Sequence, residues 1–262
     1  MDFSEARIAD IEEVAAGCFS LVLEQRGIAE EASPGQFIFI RINNSLTPFL
    51  RRPFSIAGVW PETGLLQIFF SLRGEGTEIL SRKRRGDILD SFGPMGTGFS
   101  PGDDPSLTVL LGGGIGMAPL LFLARNLQER QKKIVLFYGA SQSDQLIPLQ
   151  RFLSSDIEIN LATDDGSSGF KGFVTDLFQS RLQDGMQPEE IFACGPRQMM
   201  QNLMNMEIAN SIKVQFSMEE RMACGIGACR GCVVEIRSST DEKVYKRVCR
   251  DGPVFNSSEV VW

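Results

Sequence analysis

Four cysteines near the C-terminal end of this 262-residue chain have the residue type and spacing of metal ligands. Cys224, Cys229 and Cys232 lie in the string "CGIGACRGC", and Cys249 follows in "RVCRDGPVF". Four of the six residues between the first three are glycine or alanine (Gly225, Gly227, Ala228 and Gly231), so a tight loop can turn its backbone N–H groups inward as donors. The chain contains no histidine, which excludes a Ser-His-Asp or Cys-His nucleophile and any histidine-ligated metal.

The spacing C-x4-C-x2-C-x16-C is typical of the ligands of a plant-type [2Fe-2S] cluster. Structural zinc is the alternative, but zinc ribbons favour two paired C-x2-C hooks, and here the fourth cysteine is solitary. We therefore expect these four cysteines to hold a [2Fe-2S] cluster in a small lobe over residues 218–262. That segment has too few apolar runs to fold unaided, and a bound metal would supply the missing stabilisation.

A second candidate site is the glycine-rich string "LLGGGIGMAP" over residues 110–119. It stands between a predicted strand and a predicted helix, where backbone amides can receive a pyrophosphate. Close packing of a strand-to-helix turn also needs glycine, but the strand-helix alternation that follows favours dinucleotide binding. The loop "GASQSDQ" after the next strand contains no Lys or Arg to meet a 2′-phosphate, which favours NAD over NADP.

Two further strings leave alternatives open. "FACGPRQMM" places Cys194 at the end of a later strand, the edge where ligands bind in such sheets, but a buried inert thiol explains it equally well. In "RRPFSIAG" an arginine can pair with a phosphate, the aromatic ring can cover a flavin, and the hydroxyl can reach the flavin edge. An ordinary strand start with a buried phenylalanine explains the same residues.

The elements that position these residues fall into two patterns. Up to residue 100, short alternating runs such as "CFSLVLEQ", "QFIFIRI" and "LLQIFFSL" predict an antiparallel β-barrel of about six strands, with one helix-like stretch over 76–86. Over 106–217, strands alternate with helices, including one near "DQLIPLQRFL", which predicts a doubly wound parallel sheet. The predicted fold class is therefore all-β plus α/β, with the small lobe at the C-terminal end.

Composition bounds the class of protein. A hydrophobic content of 43% allows a substantial core, and a net charge of -7 argues against a nucleic-acid surface. The acidic start of the chain lacks the apolar region of a signal peptide, so we expect a reducing, cytoplasmic location for the cysteines. Residues 105–124 carry no charge, but the glycines within them predict a strand, a turn and a helix rather than a membrane span.

The strings "RPFS", "GEGT", "LGGGIGMAPL" and "CGP", with the closing cysteines, resemble the ferredoxin-NADP reductase superfamily. "MEERMACGIGACRGCVV" with "RVCRDGPVF" more narrowly resembles the electron-transfer subunits of bacterial type B dihydroorotate dehydrogenase. The resemblance implies FAD in the barrel, NAD on the parallel sheet and a [2Fe-2S] cluster in the lobe. It also implies a heterotetramer of two such chains with two FMN-containing catalytic subunits, in which electrons from dihydroorotate oxidation leave as NADH.

The resemblance further implies a role for each matching residue. FAD would be bound by Arg52, Pro53, Phe54, Ser55, Phe69, Phe70, Ser71, Gly76 and Thr77. The nicotinamide dinucleotide would be bound by Gly113, Gly114, Gly116, Cys194 and Gly195. No side chain is expected to act as a catalytic acid or base. Phe54 stands where many members of the superfamily have tyrosine, so a phenol hydrogen bond to the flavin is missing while stacking is retained.

Two other functions remain open from the sequence. One is an FAD and [2Fe-2S] electron-transfer subunit of another complex, such as a hydrogenase, a sulfide dehydrogenase or a transhydrogenase. The other is a redox-sensing binding module.

Overall fold

The computed structural model describes residues 2–43, 45, 47–238 and 240–262. Its N-terminal part is a closed antiparallel barrel with the strand order β1-β2-β5-β4-β3-β6, which confirms the predicted six strands. The strands are β1 (Asp2–Ala15), β2 (Cys18–Glu24), β3 (Phe37–Arg41), β4 (Arg52–Trp60), β5 (Leu65–Ser71) and β6 (Ile88–Met95). Two short helices, α1 (Arg26–Glu31) and α2 (Glu75–Ser81), interrupt them.

Apolar and polar residues alternate along the strands of the barrel, so the apolar side chains face its interior. In β1 the buried Ala6 and Ile8 alternate with acidic and basic neighbours. This alternation is the pattern of a half-buried strand, although the composition of the segment is mainly acidic. Helix α2 ends at Ser81, short of the predicted limit at residue 86, because a turn over the basic run leads into β6.

The second part is a seven-stranded sheet of order β10-β9-β8-β7-β11-β12-β15. Its strands are β7 (Thr108–Gly113), β8 (Ile134–Ala140), β9 (Glu158–Thr163), β10 (Phe170–Lys171), β11 (Glu190–Cys194), β12 (Lys213–Ser217) and β15 (Val254–Asn256). The helices are α3 (Met117–Glu129), α4 (Val174–Gln183) and α5 (Arg197–Met204). All strand pairs are parallel except β12 with β15, and the strand order reverses between β7 and β11. The doubly wound sheet is confirmed, and the reversal marks its ligand-binding crevice.

One predicted helix is wrong. The segment "DQLIPLQRFL" forms two single turns of 3-10 helix, Ser143–Gln145 and Leu149–Arg151, with Pro148 between them. Proline lacks the N–H that an α-helix needs at that position. The neighbouring Ile147 is buried, and its N–H donates to the hydroxyl of Tyr138 at 3.2 Å.

The segment after β12 contains the four cysteines and a two-stranded hairpin of β13 (Val233–Arg237) and β14 (Lys243–Arg247). Its last strand, β15, leaves the hairpin and joins the large sheet beside β12. The segment that carries the cysteines is therefore anchored at both ends to the large sheet. We call the loop over residues 224–232 the cysteine loop, and the turn over residues 113–116 at the end of β7 the glycine turn.

The barrel and the sheet are locked together by Arg125 of α3. Its guanidinium donates to the carbonyl of Ala57 at 3.4 Å and to Oε1 of Gln67 at 3.3 Å, and it lies 5.0 Å from the ring centroid of Trp60. Helix α3 begins directly after the glycine turn, so this contact fixes the turn relative to the barrel.

Candidate functional site

The four cysteines lie as two neighbouring pairs. The backbone N–H of Cys229 donates to Sγ of Cys224 at 3.4 Å, and the N–H of Cys249 donates to Sγ of Cys232 at 3.5 Å. The two thiols within each pair are also hydrogen-bonded to each other. The negative charge of Cys224 raises the pKa of the Cys249 thiol, which shows that the two pairs are close to each other. Cys232 and Cys249 are buried, Cys224 is partly buried and Cys229 is exposed.

The loop around Cys224 is built to hold a thiolate. Burial raises the pKa of the Cys224 thiol, but hydrogen bonds from the backbone and thiol of Cys229 and from the backbone of Ile226 and Ala228 outweigh it and lower the pKa to about 6. At Cys249 burial prevails and raises the pKa to about 12. Inward-pointing amides stabilise anionic sulfur, which is the form that binds iron.

Two pairs of cysteines match the ligand set of a two-iron cluster. Among the described residues, no three cysteine or carboxylate side chains gather at a single point to hold one metal ion. Tetrahedral zinc needs four ligands around one centre, whereas each iron of a [2Fe-2S] cluster takes two thiolates. Two pairs of sulfurs supply that ligand set.

A cavity of about 570 Å³ opens between the barrel and the second part of the chain. All nine residues predicted to bind FAD line it: Arg52, Pro53, Phe54, Ser55, Phe69, Phe70, Ser71, Gly76 and Thr77. A Cβ atom placed on Gly76 would lie 3.3 Å from Nε of Arg52, so the guanidinium covers the start of α2. The lining thus combines a cation with aromatic rings and a hydroxyl, which suits a flavin and its pyrophosphate.

The segment that leads into the cysteine loop forms part of the wall of this flavin cavity. Met222, two residues before Cys224, lines the cavity, and so does Phe37 of β3. The loop also packs on the barrel core at Phe39, since a Cβ atom on Gly225 would lie 2.5 Å from Cε2 of that ring. A cluster held by the cysteines would therefore lie beside the flavin cavity.

The glycine turn lies at the carboxyl edge of the sheet, where the strand order reverses. Gly113 and Gly114 line two cavities there, of about 740 and 530 Å³, and Gly116 and Gly195 line the larger one. A Cβ atom on Gly195 would lie 3.0 Å from the backbone N of Gly113, so the two loops leave no room for side chains between them. Such a cradle suits the close approach of a pyrophosphate to the backbone.

Cys194 lies beneath this edge rather than in the cavity lining. Its side chain is buried, and burial followed by the nearby Glu219 charge raises the pKa of its thiol far above the ordinary value. The thiol is therefore neutral at physiological pH and packs under Gly195 at the end of β11.

Sequence reasoning missed two charged residues where the cavities meet. Arg73 lines the flavin cavity and both cavities at the glycine turn, and Glu219 lines the flavin cavity and the larger of those two. Glu219 is exposed at the cavity, but desolvation by the protein around it raises the pKa of its carboxyl, while Arg73 opposes the shift. Arg73 belongs to none of the quoted strings, whereas Glu219 lies in "MEERMACGIGACRGCVV", two residues after the end of β12 at the carboxyl edge of the sheet, which is a usable signal.

Two family models match the chain. The model for the iron-sulfur cluster binding domain of dihydroorotate dehydrogenase B matches residues 219–261. The model for the oxidoreductase NAD-binding domain matches residues 110–204. The matched ranges contain the cysteine loop and the glycine turn.

Solved structures support the same architecture. The structure of an NADH-dependent reduced ferredoxin-NADP oxidoreductase superposes with a TM-score of 0.83 at 31% identity, covering 98% of this chain and 90% of that chain. The ferredoxin NADP+ reductase from Neisseria gonorrhoeae, solved with bound FAD and NADP, shares the fold with a TM-score of 0.64 at 21% identity and covers 79% of this chain and 92% of that chain.

The closed barrel, the doubly wound sheet and the cysteine loop define a flavin- and nicotinamide-dependent iron-sulfur oxidoreductase. Over 98% of its length the chain is 37% identical to the "Dihydroorotate dehydrogenase B (NAD(+)), electron transfer subunit" of Desulforamulus reducens, of which it covers 98%. The chain belongs to the family of dihydroorotate dehydrogenase B electron transfer subunits.

Proposed function

We propose that this chain passes electrons from dihydroorotate oxidation, carried out in a partner subunit that contains FMN, to NAD+ in pyrimidine biosynthesis. One observation carries the proposal: a single cavity that suits FAD is lined by Ile115 of the glycine turn and by Met222, two residues before the first of the four cysteines. When bound, FAD and the [2Fe-2S] cluster supply the exchange between single electrons and a hydride. The protein supplies binding, orientation and charge.

The residues around the flavin cavity have distinct tasks in this proposal. Arg52 binds the pyrophosphate of FAD, Phe54 and Phe69 pack against the flavin, and Ser55 donates a hydrogen bond to its edge. The remaining FAD ligands are Pro53, Phe70, Ser71, Gly76 and Thr77. The cavity that they line is bounded by the barrel, the glycine turn and the segment around Met222.

The residues at the sheet edge receive the nicotinamide dinucleotide. The backbone of Gly113, Gly114 and Gly116 binds the pyrophosphate, and Gly195 leaves space for the nicotinamide ring above Cys194. Glu219 is the carboxyl at the junction with the flavin cavity, where desolvation raises its pKa and Arg73 opposes the shift. Cys224, Cys229, Cys232 and Cys249 are the cluster ligands.

The assembly is part of the proposal. The relatives are named as the electron transfer subunit of a larger enzyme, so a catalytic partner is required. We place two of these chains with two FMN-containing subunits in a heterotetramer in the cytoplasm, where four unbridged cysteines are kept reduced. Among the described residues no helix is long and apolar enough to cross a membrane. The limits 1–100, 106–217 and 218–262 remain our proposed domain boundaries.

Cys229→Ser tests the function directly. It removes one thiolate ligand at an exposed position, so the variant is expected to oxidise NADH with an artificial acceptor while losing NAD+ reduction by dihydroorotate in the reconstituted complex. Ala228→Ser adds a hydroxyl to the same exposed stretch without removing a ligand and serves as the control. Full dihydroorotate-dependent NADH formation by Cys229→Ser would contradict the role of the cluster.

Two alternatives are separated by simple measurements. The solved relative at 31% identity is an NADH-dependent reduced ferredoxin-NADP oxidoreductase, which keeps a transhydrogenase-type subunit as the second candidate function. Activity with ferredoxin and without dihydroorotate dehydrogenase would favour it. A redox-sensing module would purify without FAD and would show no NADH-dependent bleaching.

A further inference from the structure

The string "RVCRDGPVF", which holds the fourth cysteine, also contains an ion pair that has no role in the proposed function. Arg247 is the last residue of β14, and Asp251 closes the turn that holds Cys249. The Asp251 carboxylate accepts hydrogen bonds from Nε of Arg247 at 2.8 Å and from Nη2 at 2.9 Å. It also accepts one from the backbone N–H of Arg247 at 2.8 Å. A bidentate pair with a third donor keeps one geometry, so it fixes the turn around Cys249.

The same guanidinium reaches the cysteine loop. Its Nη1 donates to the carbonyl of Gly227 at 3.2 Å, and Gly227 lies between Cys224 and Cys229. A Cβ atom on Gly227 would lie 3.3 Å from Nη1 and 2.9 Å from Cδ of Arg250, and the φ of this glycine is +80°. The close approach thus requires glycine. Arg247 thereby links the segment of the fourth cysteine to the loop of the first three.

The link acts on two of the cysteine sulfurs. Burial raises the pKa of the Cys249 thiol most, and a hydrogen bond from the backbone N–H of Gly227 opposes the rise, so this N–H faces the sulfur. The bond between Arg247 and the Gly227 carbonyl therefore also holds that donor in place. The hydrogen bond with Asp251 raises the pKa of Arg247 most, and the charges of Asp251, Cys249 and Cys232 raise it further. The guanidinium is thus a cation within electrostatic reach of both sulfurs.

We propose that the pair of Arg247 and Asp251 positions the cysteine loop and sets the reduction potential of the bound cluster. The inference rests on the proposed function and deepens it. Reduction adds one negative charge to the cluster, so a cation beside its ligands favours the reduced form and a carboxylate favours the oxidised form. Both side chains are only 27% exposed, so salt and water screen these charges less than they screen surface charges. Arg247 and Asp251 are positioning residues, because they act on the cluster through its ligands and their surroundings.

Lys246 provides a matched control. It directly precedes Arg247 in β14, and successive side chains of a strand point to opposite faces. Its Nζ lies 3.9 Å from Oε2 of Glu259, in an ion pair that is more exposed than that of Arg247. Lys246→Gln therefore changes the net charge by the same amount as Arg247→Gln and leaves the bonds to Asp251 and Gly227 in place.

The test measures the midpoint potential of the cluster in the full chain loaded with FAD and cluster, by a redox titration followed by electron paramagnetic resonance. Arg247→Gln is expected to lower the equilibrium constant for cluster reduction about tenfold or more, which is a shift of about -59 mV for one electron. Asp251→Asn is expected to raise the constant by a similar factor, because the amide keeps an acceptor for Arg247 while the negative charge is removed. Lys246→Gln is expected to change it by less than about twofold.

Arg247→Lys separates the charge from the positioning. Lysine keeps the charge but lacks the planar fork that bonds Asp251 and Gly227 together. The equilibrium constant for reduction should stay within about threefold of the native value, while release of iron to a chelator becomes about tenfold faster.

Native potentials in both Arg247→Gln and Asp251→Asn would overturn the inference. If Arg247→Gln assembles no cluster, Asp251→Asn decides it by the same criterion: a raised potential supports the inference and a native one overturns it. Native protein that assembles no cluster would instead overturn the proposed function, and this inference with it.

Discussion

Gly225 of the cysteine loop lies directly against the ring of Phe39 in β3. A Cβ atom at Gly225 would lie 2.5 Å from Cε2 of that ring, and the glycine has a φ of +72°, which side-chain-bearing residues rarely adopt. Phe39 is itself only 1% exposed and packs in the core, so it has little room to move. The contact fixes the position of the proposed cluster relative to the barrel.

Gly225→Ala should therefore displace the loop. The left-handed conformation alone costs about 1–2 kcal/mol for alanine, and the overlap with Phe39 adds to it. We expect iron and sulfide per chain to fall by about half or more in anaerobic preparations.

Gly185→Ala is the control for this prediction. Gly185 has a φ of +96°, and a Cβ atom there would have no neighbour within 4 Å, so it carries the backbone strain without the overlap. Equal iron contents for the two variants would show that packing on Phe39 does not position the loop.

Arg52→Gln should weaken the binding of FAD. The guanidinium lies over Gly76 at the mouth of the flavin cavity, where it would meet a phosphate. Losing a charged hydrogen-bond donor of this kind costs about 10- to 100-fold in affinity, which can be measured by FAD titration of the flavin-free protein. The neighbouring Arg51 forms an ion pair with Asp90 on β6, so Arg51→Gln should leave the FAD affinity within about threefold.

Glu219→Gln should change the pH dependence of stability. Since the pKa of this carboxyl is raised in the folded protein, the folded state favours the protonated form, and its contribution is lost as the pH rises through the folded pKa. The amide removes the charge, so the variant should melt at a higher temperature than the native protein at neutral pH. The difference should vanish as the pH falls toward the ordinary glutamate value of about 4.3.

Thermal melts of the two proteins across this pH range are the measurement. Glu220→Gln removes the adjacent charge from the cavity wall and controls for net charge. A pH-independent difference between Glu219→Gln and the native protein would contradict a raised carboxyl pKa.

Arg125→Leu should loosen the contact between barrel and sheet. The substitution leaves the carbonyls of Ala57 and Phe152 without this donor and removes the cation from the face of Trp60. We expect a loss of about 2–4 kcal/mol in the free energy of unfolding, measured by chemical denaturation. Arg130→Leu, on the exposed end of the same helix, should change it by less than about 0.5 kcal/mol, and similar losses in both variants would contradict the proposed clamp.

Much of the site could be predicted because the residues that carry its chemistry lie in short stretches of sequence. The cysteine spacing, the glycine turn and "RRPFS" are each contiguous in sequence, and the barrel and sheet follow from alternating and helical periodicities. The predicted FAD residues lie in one cavity for the same reason, since they come from the ends of β4 and β5 and the start of α2.

The misses arise from contacts between segments distant in sequence. Arg73 and Glu219 gain their positions only when the barrel, the glycine turn and the end of β12 meet. The helix predicted around Pro148 failed because proline lacks the N–H that the helix needs and because Ile147 is buried beside Tyr138, to which its own N–H donates. Tertiary packing determines these positions and this conformation, and the periodicity of apolar residues along the chain carries no information about it.

The most direct test is to express this chain with an FMN-containing dihydroorotate dehydrogenase subunit and to assay the purified complex for NADH formation from dihydroorotate. Iron, acid-labile sulfide and flavin are determined on the same sample. The account predicts NADH formation by a complex that holds one FAD and one [2Fe-2S] cluster per copy of this chain. A complex with full FAD and cluster that forms no NADH, or an active complex free of iron, would contradict it.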